Sequence, residues 1–89
     1  MIQEKVTIIN KLGLHARAAA KFVATSGRFA SSVKVVKGTQ EIDGKSIMAV
    51  MMLAASQGTE LELIIDGSDE QAAMTAMKEL INDYFGEGE

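Results

Sequence analysis

The amino-acid sequence predicts an α+β domain in which a four-stranded antiparallel sheet carries three helices on one face. The spacing of apolar residues changes along the chain between alternation and helical periodicity, in the order βαββαβα. Each predicted strand and helix has a single apolar face, so two layers are needed to bury these faces. The pattern fits two topologies, the ferredoxin-like split βαβ fold and an open-faced β-sandwich.

Length and composition narrow the class of protein. The 89 residues suffice for one domain, residues 1–89. The net charge of −3 argues against non-specific nucleic-acid binding, and the absence of cysteine excludes disulfides, thiolate catalysis and iron–sulfur clusters. There is no signal-peptide pattern, and the longest apolar stretch, Ile47–Ala55, is too short to span a membrane. We therefore expect a cytoplasmic protein.

The first half of the chain predicts a strand, a helix and a hairpin. Lys5–Asn10 has the alternation and β-branched content of a strand. Leu14–Ser26 has helical spacing, and Gly27 stands where a helix C-terminal glycine is expected. Ser32–Lys37 and Gln40–Asp43 are separated by a two-residue glycine–threonine turn, which is typical of a hairpin.

The second half predicts a short helix, a strand and a longer helix. Ile47–Ala54 forms the short helix, and Glu60–Asp66 alternates as a strand. Ser68 and Gln71 have the spacing of a capping box at the start of the third helix. The apolar stripe of that helix is predicted to contain Ala73, Met77, Leu80, Ile81 and Tyr84. The tail Gly86–Glu89 is expected to fray.

The only histidine, His15, is the first candidate functional residue. It follows the turn residues Gly13 and Leu14 and stands at the start of the first helix, where free backbone N–H groups and the helix dipole favour an anion. Arg17 is a cation in the first helical turn, where an acid would stabilise the helix better, and such a departure points to function. An imidazole nitrogen is a nucleophile, and a phosphoryl group on it would be stabilised by these amides and by Arg17.

The neighbourhood of His15 favours a carrier over an enzyme. The sequence near the histidine offers no second acid or base, and an exposed helix end is a poor catalytic pocket. One histidine and no cysteine make a metal site improbable on ligand grounds, and we expect no cofactor.

Ser46 is the second candidate. Serine is a favoured helix N-cap, and Ser46 directly precedes the second helix. A hydroxyl at a helix start beside Lys45 is also a suitable place for a regulatory phosphate. The helix that follows is apolar nearly all round, so that some of its side chains must remain exposed and available for protein docking. These candidates are Ile47, Met48, Met51 and Met52.

Two segments resemble known motifs. Gly13-Leu14-His15-Ala16-Arg17 resembles the active-site signature of the HPr family, the histidine phosphocarriers of the phosphoenolpyruvate-dependent phosphotransferase system. Gly44-Lys45-Ser46-Ile47-Met48 resembles the regulatory serine segment of the same family. The likeness extends over essentially the whole chain and implies an open-faced β-sandwich with strand order 1-4-2-3.

The resemblance also implies a function and partners. His15 would take a phosphoryl group on Nδ1 from phospho-Enzyme I and pass it to a IIA-type protein, with the help of Arg17. Ser46 would be phosphorylated by an HPr kinase/phosphorylase. A monomer is expected. The docking residues carried over from the family are Ala16, Arg17, Ala20, Ile47, Met48 and Met51.

The chain departs from the family pattern at two positions. Ala18 stands where the family usually has proline, and Ala49 stands where many members have glycine. Both changes favour helix, so function should survive. The surrounding residues look more like the nitrogen-related branch, called NPr, than like the sugar-transporting branch.

Two other functions fit His15 less well. A small anion- or metabolite-binding regulatory domain would use His15 and Arg17 as ligand contacts, without forming a covalent bond. A hydrolase would use His15 as a general base, but the sequence shows no partner nucleophile.

Overall fold

The computed structural model describes residues 1–89 and contains one antiparallel sheet of four strands with three α-helices on one face. In chain order the elements are β1 (Ile2–Thr7), α1 (Ala16–Ser26), β2 (Ser32–Lys37), β3 (Gln40–Asp43), α2 (Ile47–Met52), β4 (Glu60–Asp66) and α3 (Glu70–Asn82). A 3₁₀ turn, Tyr84–Gly86, follows α3. The strand order is β1-β4-β2-β3 with every pair antiparallel, which confirms the open-faced β-sandwich. No helix has the length and apolar character needed to cross a bilayer.

The core lies between the sheet and the helices. Alternate strand residues point inward, and each helix adds its apolar face, as the periodicity predicts. The largest side chains with almost no exposed surface are Phe22, Phe85, Ile8, Leu53, Leu61, Leu63, Ile65, Met74, Met77, Ile81, Val33 and Val35. This single core fixes the ends of α1 and α2, where the candidate site residues lie.

The first strand runs earlier in the chain than predicted. It spans Ile2–Thr7 and not Lys5–Asn10, although Val6 and Ile8 are both buried as expected. Ile8 still donates its N–H to Thr59 O at 2.9 Å, beyond the regular ladder. The prediction was wrong at Asn10 because this buried side chain serves a turn and not a strand.

The first helix begins and ends differently from the prediction. Leu14 lies outside the helix because the next residue, His15, has an extended backbone (ψ 177°), so that α1 begins at Ala16. The N–H of Leu14 donates to Ala55 O at 2.8 Å. Gly27 has φ −68°, so it is not the left-handed C-terminal glycine that was expected. Its N–H instead donates to Val23 O at 2.8 Å and continues the helical pattern at the end of α1.

The second helix is shorter than the predicted Ile47–Ala54. It ends at Met52, and Ala54 adopts a left-handed backbone with φ 52°. A residue in that conformation cannot continue a right-handed helix. The β2–β3 hairpin has the predicted two-residue loop, since Lys37 pairs with Gln40.

The predicted capping box at the start of α3 is wrong. Neither Ser68 nor Gln71 makes a capping hydrogen bond, and Asp69 occupies the N-cap position without capping the helix. The Asp69 carboxylate accepts hydrogen bonds from the backbone N–H groups of Ala30 (2.8 Å) and Ser31 (2.9 Å). The side-chain hydrogen bond from Ser31 and these backbone bonds lower the pKa of Asp69 to about 2. Asp69 therefore ties α3 to the loop before β2.

The predicted apolar stripe of α3 is wrong at Tyr84, and it omits Met74, which is buried. The stripe residues with fully buried side chains are Ala73, Met77 and Ile81, and Leu80 is half-buried. Tyr84 is exposed, because it and Phe85 adopt left-handed backbones (φ 57° and 53°) that reverse the chain after α3. This reversal buries Phe85 in the core and directs the tail back toward α1.

Candidate functional site

His15 lies at the N-cap position of α1, at the helix start predicted for it. Its backbone is extended (φ −72°, ψ 177°), and its carbonyl accepts the N–H of Ala19 at 2.8 Å. No side chain caps this helix end, so the first amides of the helix are free to meet an anion. The side chain of His15 is 27% exposed, so the ring is partly accessible to another protein.

The turn before His15 is rigidly held. Gly13 has φ +67°, and a Cβ atom there would lie 2.4 Å from Ala55 O, so only glycine fits. Asn10 donates its side-chain amide to Gly13 O at 2.8 Å, while Leu14 donates its N–H to Ala55 O. These bonds join the turn to the segment that follows α2, which links the two motif regions.

Arg17 is exposed in the first turn of α1. The turn contains no acidic residue, and Arg17 makes no ion pair. It lines a cleft of about 340 Å³ together with Glu87, which contacts His15. The other lining residues are Leu12, Lys21, Gly86, Glu87 and Glu89. An unpaired guanidinium beside free helix amides is well suited to an incoming phosphoryl group.

Glu87 is a site residue that the sequence did not predict. Its Oε2 accepts a hydrogen bond from His15 Nε2, and its Oε1 accepts one from Asn10 Nδ2 at 2.9 Å. Burial alone would raise the pKa of Glu87. Hydrogen bonds from Asn10 and His15 have the opposite effect, as do the nearby charges of His15 and Lys21. Together they outweigh burial, so that the pKa of Glu87 is lowered. The side chain is only 11% exposed.

The tail that carries Glu87 packs against the site, so the expected fraying is wrong. Lys21 Nζ donates to Phe85 O at 2.6 Å, and Lys11 N–H donates to Glu89 O at 3.0 Å. The buried Phe85 side chain anchors the segment between these two bonds. No local sequence signal indicates this packing, because Glu87 and His15 lie at opposite ends of the chain.

Ser46 is the N-cap of α2, as predicted. Its Oγ accepts the N–H of Ala49 at 3.3 Å, and its own N–H donates to Asp43 O at 3.1 Å. The serine is half-buried. Ser46 therefore has a structural role as a helix cap, and a regulatory phosphate would act in addition to that role.

The exposed faces of α1 and α2 form a candidate contact surface. The two helices pack against each other, and Ala16 and Ala20 are exposed on α1. On α2, Met48 is 72% and Met52 is 73% exposed, and Ile47 and Met51 are also exposed. Val50 is fully buried and holds the helix to the core. We call the exposed set Ala16, Ala20, Ile47, Met48, Met51 and Met52 the helix patch.

Comparisons with known proteins agree with this geometry. Residues 2–83 match the family described as the PTS HPr component phosphorylation site. The chain is 56% identical to the phosphocarrier protein HPr of Neisseria meningitidis serogroup A over 89 residues, covering 100% of both chains. It is similar to a crystal structure of HPr-C-His from Thermoanaerobacter tengcongensis, with a TM-score of 0.94, 44% identity and 98% of both chains covered. A crystal structure of an HPr dimer from the same organism gives a TM-score of 0.79 at 44% identity, covering 98% of this chain and 100% of that one. The nitrogen-related branch stays a prediction.

Proposed function

This chain belongs to the HPr family of phosphotransferase-system phosphocarriers, and on that premise we propose that His15 is the residue that carries its phosphoryl group. A member of this family is a phosphoryl carrier and not an enzyme. The observation that carries the assignment is the position of the only histidine at an uncapped helix N-terminus, beside an unpaired arginine. No other residue of the chain combines a nucleophilic ring nitrogen with such a site.

The transfer exchanges one bond to phosphorus for another. The Nδ1 lone pair of His15 attacks the phosphorus of phospho-Enzyme I, the bond from phosphorus to the donor breaks, and a bond to Nδ1 forms. A IIA-type protein then takes the phosphoryl group in the same way. The family resemblance implies Nδ1 as the reacting atom, and the contact of Nε2 with Glu87 supports this choice because it leaves Nδ1 free.

Arg17 assists the transfer in this account. Its guanidinium is unpaired in the first turn of α1, and the free amides of that turn lie at the same helix end. Both would stabilise negative charge on the phosphoryl oxygens. Changing Arg17→Glu places an acid in a first helical turn, which favours the helix by about 0.3–1 kcal/mol. We expect transfer to slow strongly while the melting temperature is unchanged or rises, measured by phosphorylation kinetics and thermal unfolding.

Arg28→Glu is the matched control, because Arg28 follows α1 and stacks on Phe29 away from the cleft. It makes the same charge change without altering the site. Equal transfer rates for the Arg17 variant, the control and the unmodified protein would remove Arg17 from the site.

The helix patch is the proposed docking surface for Enzyme I and for the IIA-type acceptor. It is apolar, adjoins the helix end that carries His15, and is rich in methionine, a side chain that repacks against different partners. Ser46 lies at its border as the α2 N-cap. We propose that an HPr kinase/phosphorylase can modify Ser46 and so change the charge of this border.

We further propose that the protein acts as a monomer in the cytoplasm. The nineteen buried apolar residues form one continuous core between the sheet and the helices, which supports a fold that is stable as a single chain. Phosphoenolpyruvate, the source of the phosphoryl group for Enzyme I, is a cytoplasmic metabolite. Light scattering after size-exclusion chromatography measures the mass in solution, and a dimer would contradict the monomer proposal without affecting the role of His15.

The proposed role of His15 is tested with His15→Ala. With Enzyme I and phosphoenolpyruvate, the unmodified protein should gain a phosphoryl group that acid removes and base does not, whereas the variant should gain none. Circular dichroism checks that the variant folds. Phosphorylation of the folded variant at the normal rate would overturn the assignment.

A further inference from the structure

We propose that Glu87 is a positioning residue for His15: it holds the proton of His15 on Nε2 and so leaves Nδ1 as the free nucleophilic nitrogen. The proposal rests on the proposed function, since it concerns the same histidine. It adds a residue from the far end of the chain to the site.

The first step of the argument is the pairing itself. An ionised carboxylate can only accept hydrogen bonds, so the ring nitrogen that faces Glu87 Oε2 must carry the proton. That nitrogen is Nε2. In a neutral imidazole the other nitrogen then has a free lone pair, and here it is Nδ1. The tautomer that accepts a phosphoryl group on Nδ1 is therefore the one that this contact selects.

The second step is that the carboxylate is held in place. Glu87 Oε1 accepts from Asn10 Nδ2, and Asn10 is completely buried and also donates to Gly13 O. The backbone on either side of Glu87 is fixed by the bonds from Lys21 to Phe85 and from Lys11 to Glu89. A residue held from several directions can orient the ring, much as a carboxylate orients a catalytic histidine in other proteins.

The third step concerns charge. When Nδ1 forms its bond to phosphorus, the proton stays on Nε2 and the ring gains positive charge. The Glu87 carboxylate lies against that proton and would stabilise the charge, while the uncapped amides of α1 and the unpaired Arg17 are available to the phosphoryl oxygens. The positive ring of the phosphohistidine would thus be paired with a carboxylate, and its negative phosphoryl oxygens with a guanidinium.

The decisive variant is Glu87→Gln, because it replaces two accepting oxygens with one accepting oxygen and one donating NH₂ group. Asn10 Nδ2 is fixed by Gly13 O, so the glutamine oxygen should face Asn10 and its NH₂ should face His15 Nε2. A donor in that place favours the opposite tautomer, with the proton on Nδ1. Glu87→Ala only removes the preference of the His15 ring for a proton on Nε2. We therefore expect Gln to be the more harmful change although it is the closer in shape.

The experiment is ¹⁵N nuclear magnetic resonance of the His15 ring at about pH 8, where imidazole is neutral. The unmodified protein should show the proton on Nε2, Glu87→Gln should shift population toward Nδ1–H, and Glu87→Ala should lie between them. Asp83→Asn is the control, because it removes a carboxylate at the start of the same tail and its side chain makes no hydrogen bond. The control should match the unmodified protein.

Phosphorylation kinetics with Enzyme I give the second readout. We expect a loss of about tenfold for Glu87→Ala and a larger loss for Glu87→Gln, by analogy with other groups that orient a reactive histidine. Identical ring spectra and identical rates for all four proteins would overturn the inference and leave the role of His15 intact. Absence of phosphate on His15 in the unmodified protein would instead overturn the proposed function, whatever the ring spectra show.

Discussion

At the residue scale, the position of His15 depends on a turn that tolerates only glycine at one place. Gly13 combines a left-handed backbone with close contact to the backbone of Ala55 and Ser56. The Asn10 side chain fixes the same turn from the other side. A change at Gly13 therefore acts on stability and on the histidine together.

Gly13→Ala should be strongly destabilising and should slow phosphoryl transfer. A left-handed alanine costs about 1–2 kcal/mol, and forcing the new Cβ past Ala55 O adds about 1–3 kcal/mol or more. Gly38→Ala is the matched control, because Gly38 has a similar φ of +61° but open space around it. Chemical denaturation should show a clearly larger loss at Gly13. Equal losses at the two glycines would mean that the contact with Ala55 is unimportant.

The acid stability of the fold should depend on Asp69. Its pKa is lowered from 3.8 to about 2 by the hydrogen bonds from Ser31 and Ala30. A lowered pKa means that the contribution to stability is full above pH 3.8 and is lost as the pH falls through about 2. Asp69→Asn should lower the free energy of unfolding at neutral pH. It should also make that free energy fall less steeply as the pH is lowered from 3.8 to about 2. Urea unfolding at a series of pH values measures both effects.

Glu79→Gln is the control for Asp69, since Glu79 is exposed on α3 and its side chain makes no hydrogen bond. Glu79→Gln should leave the fall in the free energy of unfolding at acidic pH unchanged. An Asp69→Asn curve parallel to that of the unmodified protein would contradict the role of these hydrogen bonds.

Some of the site residues can be recognised from the local sequence, and one of them cannot. His15, Arg17 and Ser46 stand out because each is unusual or favoured at a helix start, which is a local property of the sequence. Glu87 does not, because its contact with His15 exists only after α3 ends and Phe85 turns the chain inward. Periodicity and capping patterns contain no information about that approach.

At the element scale, α2 is a six-residue helix that depends on its cap. Ser46 is the only side chain that satisfies an amide at its N-terminus, and there is no acid in its first turn. Ser46→Ala should cost about 1 kcal/mol. Ser46→Asp keeps an acceptor and adds a charge that the helix dipole tolerates, so the melting temperature should stay close to that of the unmodified protein.

The same Ser46→Asp variant should bind Enzyme I more slowly. A phosphate at this residue would add about −1.5 to −2 charge beside the helix patch, and aspartate mimics part of that change. A partner that meets Arg17 and an apolar surface would then face repulsion. Surface plasmon resonance at low and high salt should show a reduced, salt-sensitive association rate. Unchanged association at low salt would leave only the capping role.

The order and type of the elements were predictable, while several ends were not. Alternation and helical spacing are properties of whole segments, and they identified all four strands and all three helices. The start of β1, the end of α2 and the start of α3 depend on long-range partners. Asp69, for example, is used by the loop before β2 and not by its own helix.

At the scale of the whole molecule, the fold brings three distant segments to one end of α1. They are the turn before His15, the segment after α2 and the C-terminal tail, joined by bonds to Ala55 and Glu87. The chain has a net charge of −3, and this end of α1 carries both signs, since Lys11, Arg17 and Lys21 lie close to Glu87 and Glu89. We expect the exposed, unpaired Arg17 to contact an acidic partner surface beside His15.

The most direct test of the central claim is to map the phosphoryl group by mass spectrometry. The unmodified protein is incubated with Enzyme I and phosphoenolpyruvate, and its peptides are prepared without acid. The account predicts one phosphoryl group per chain, located on His15. Phosphate found only on another residue, or none in a reaction where the same Enzyme I phosphorylates a known HPr, would contradict it.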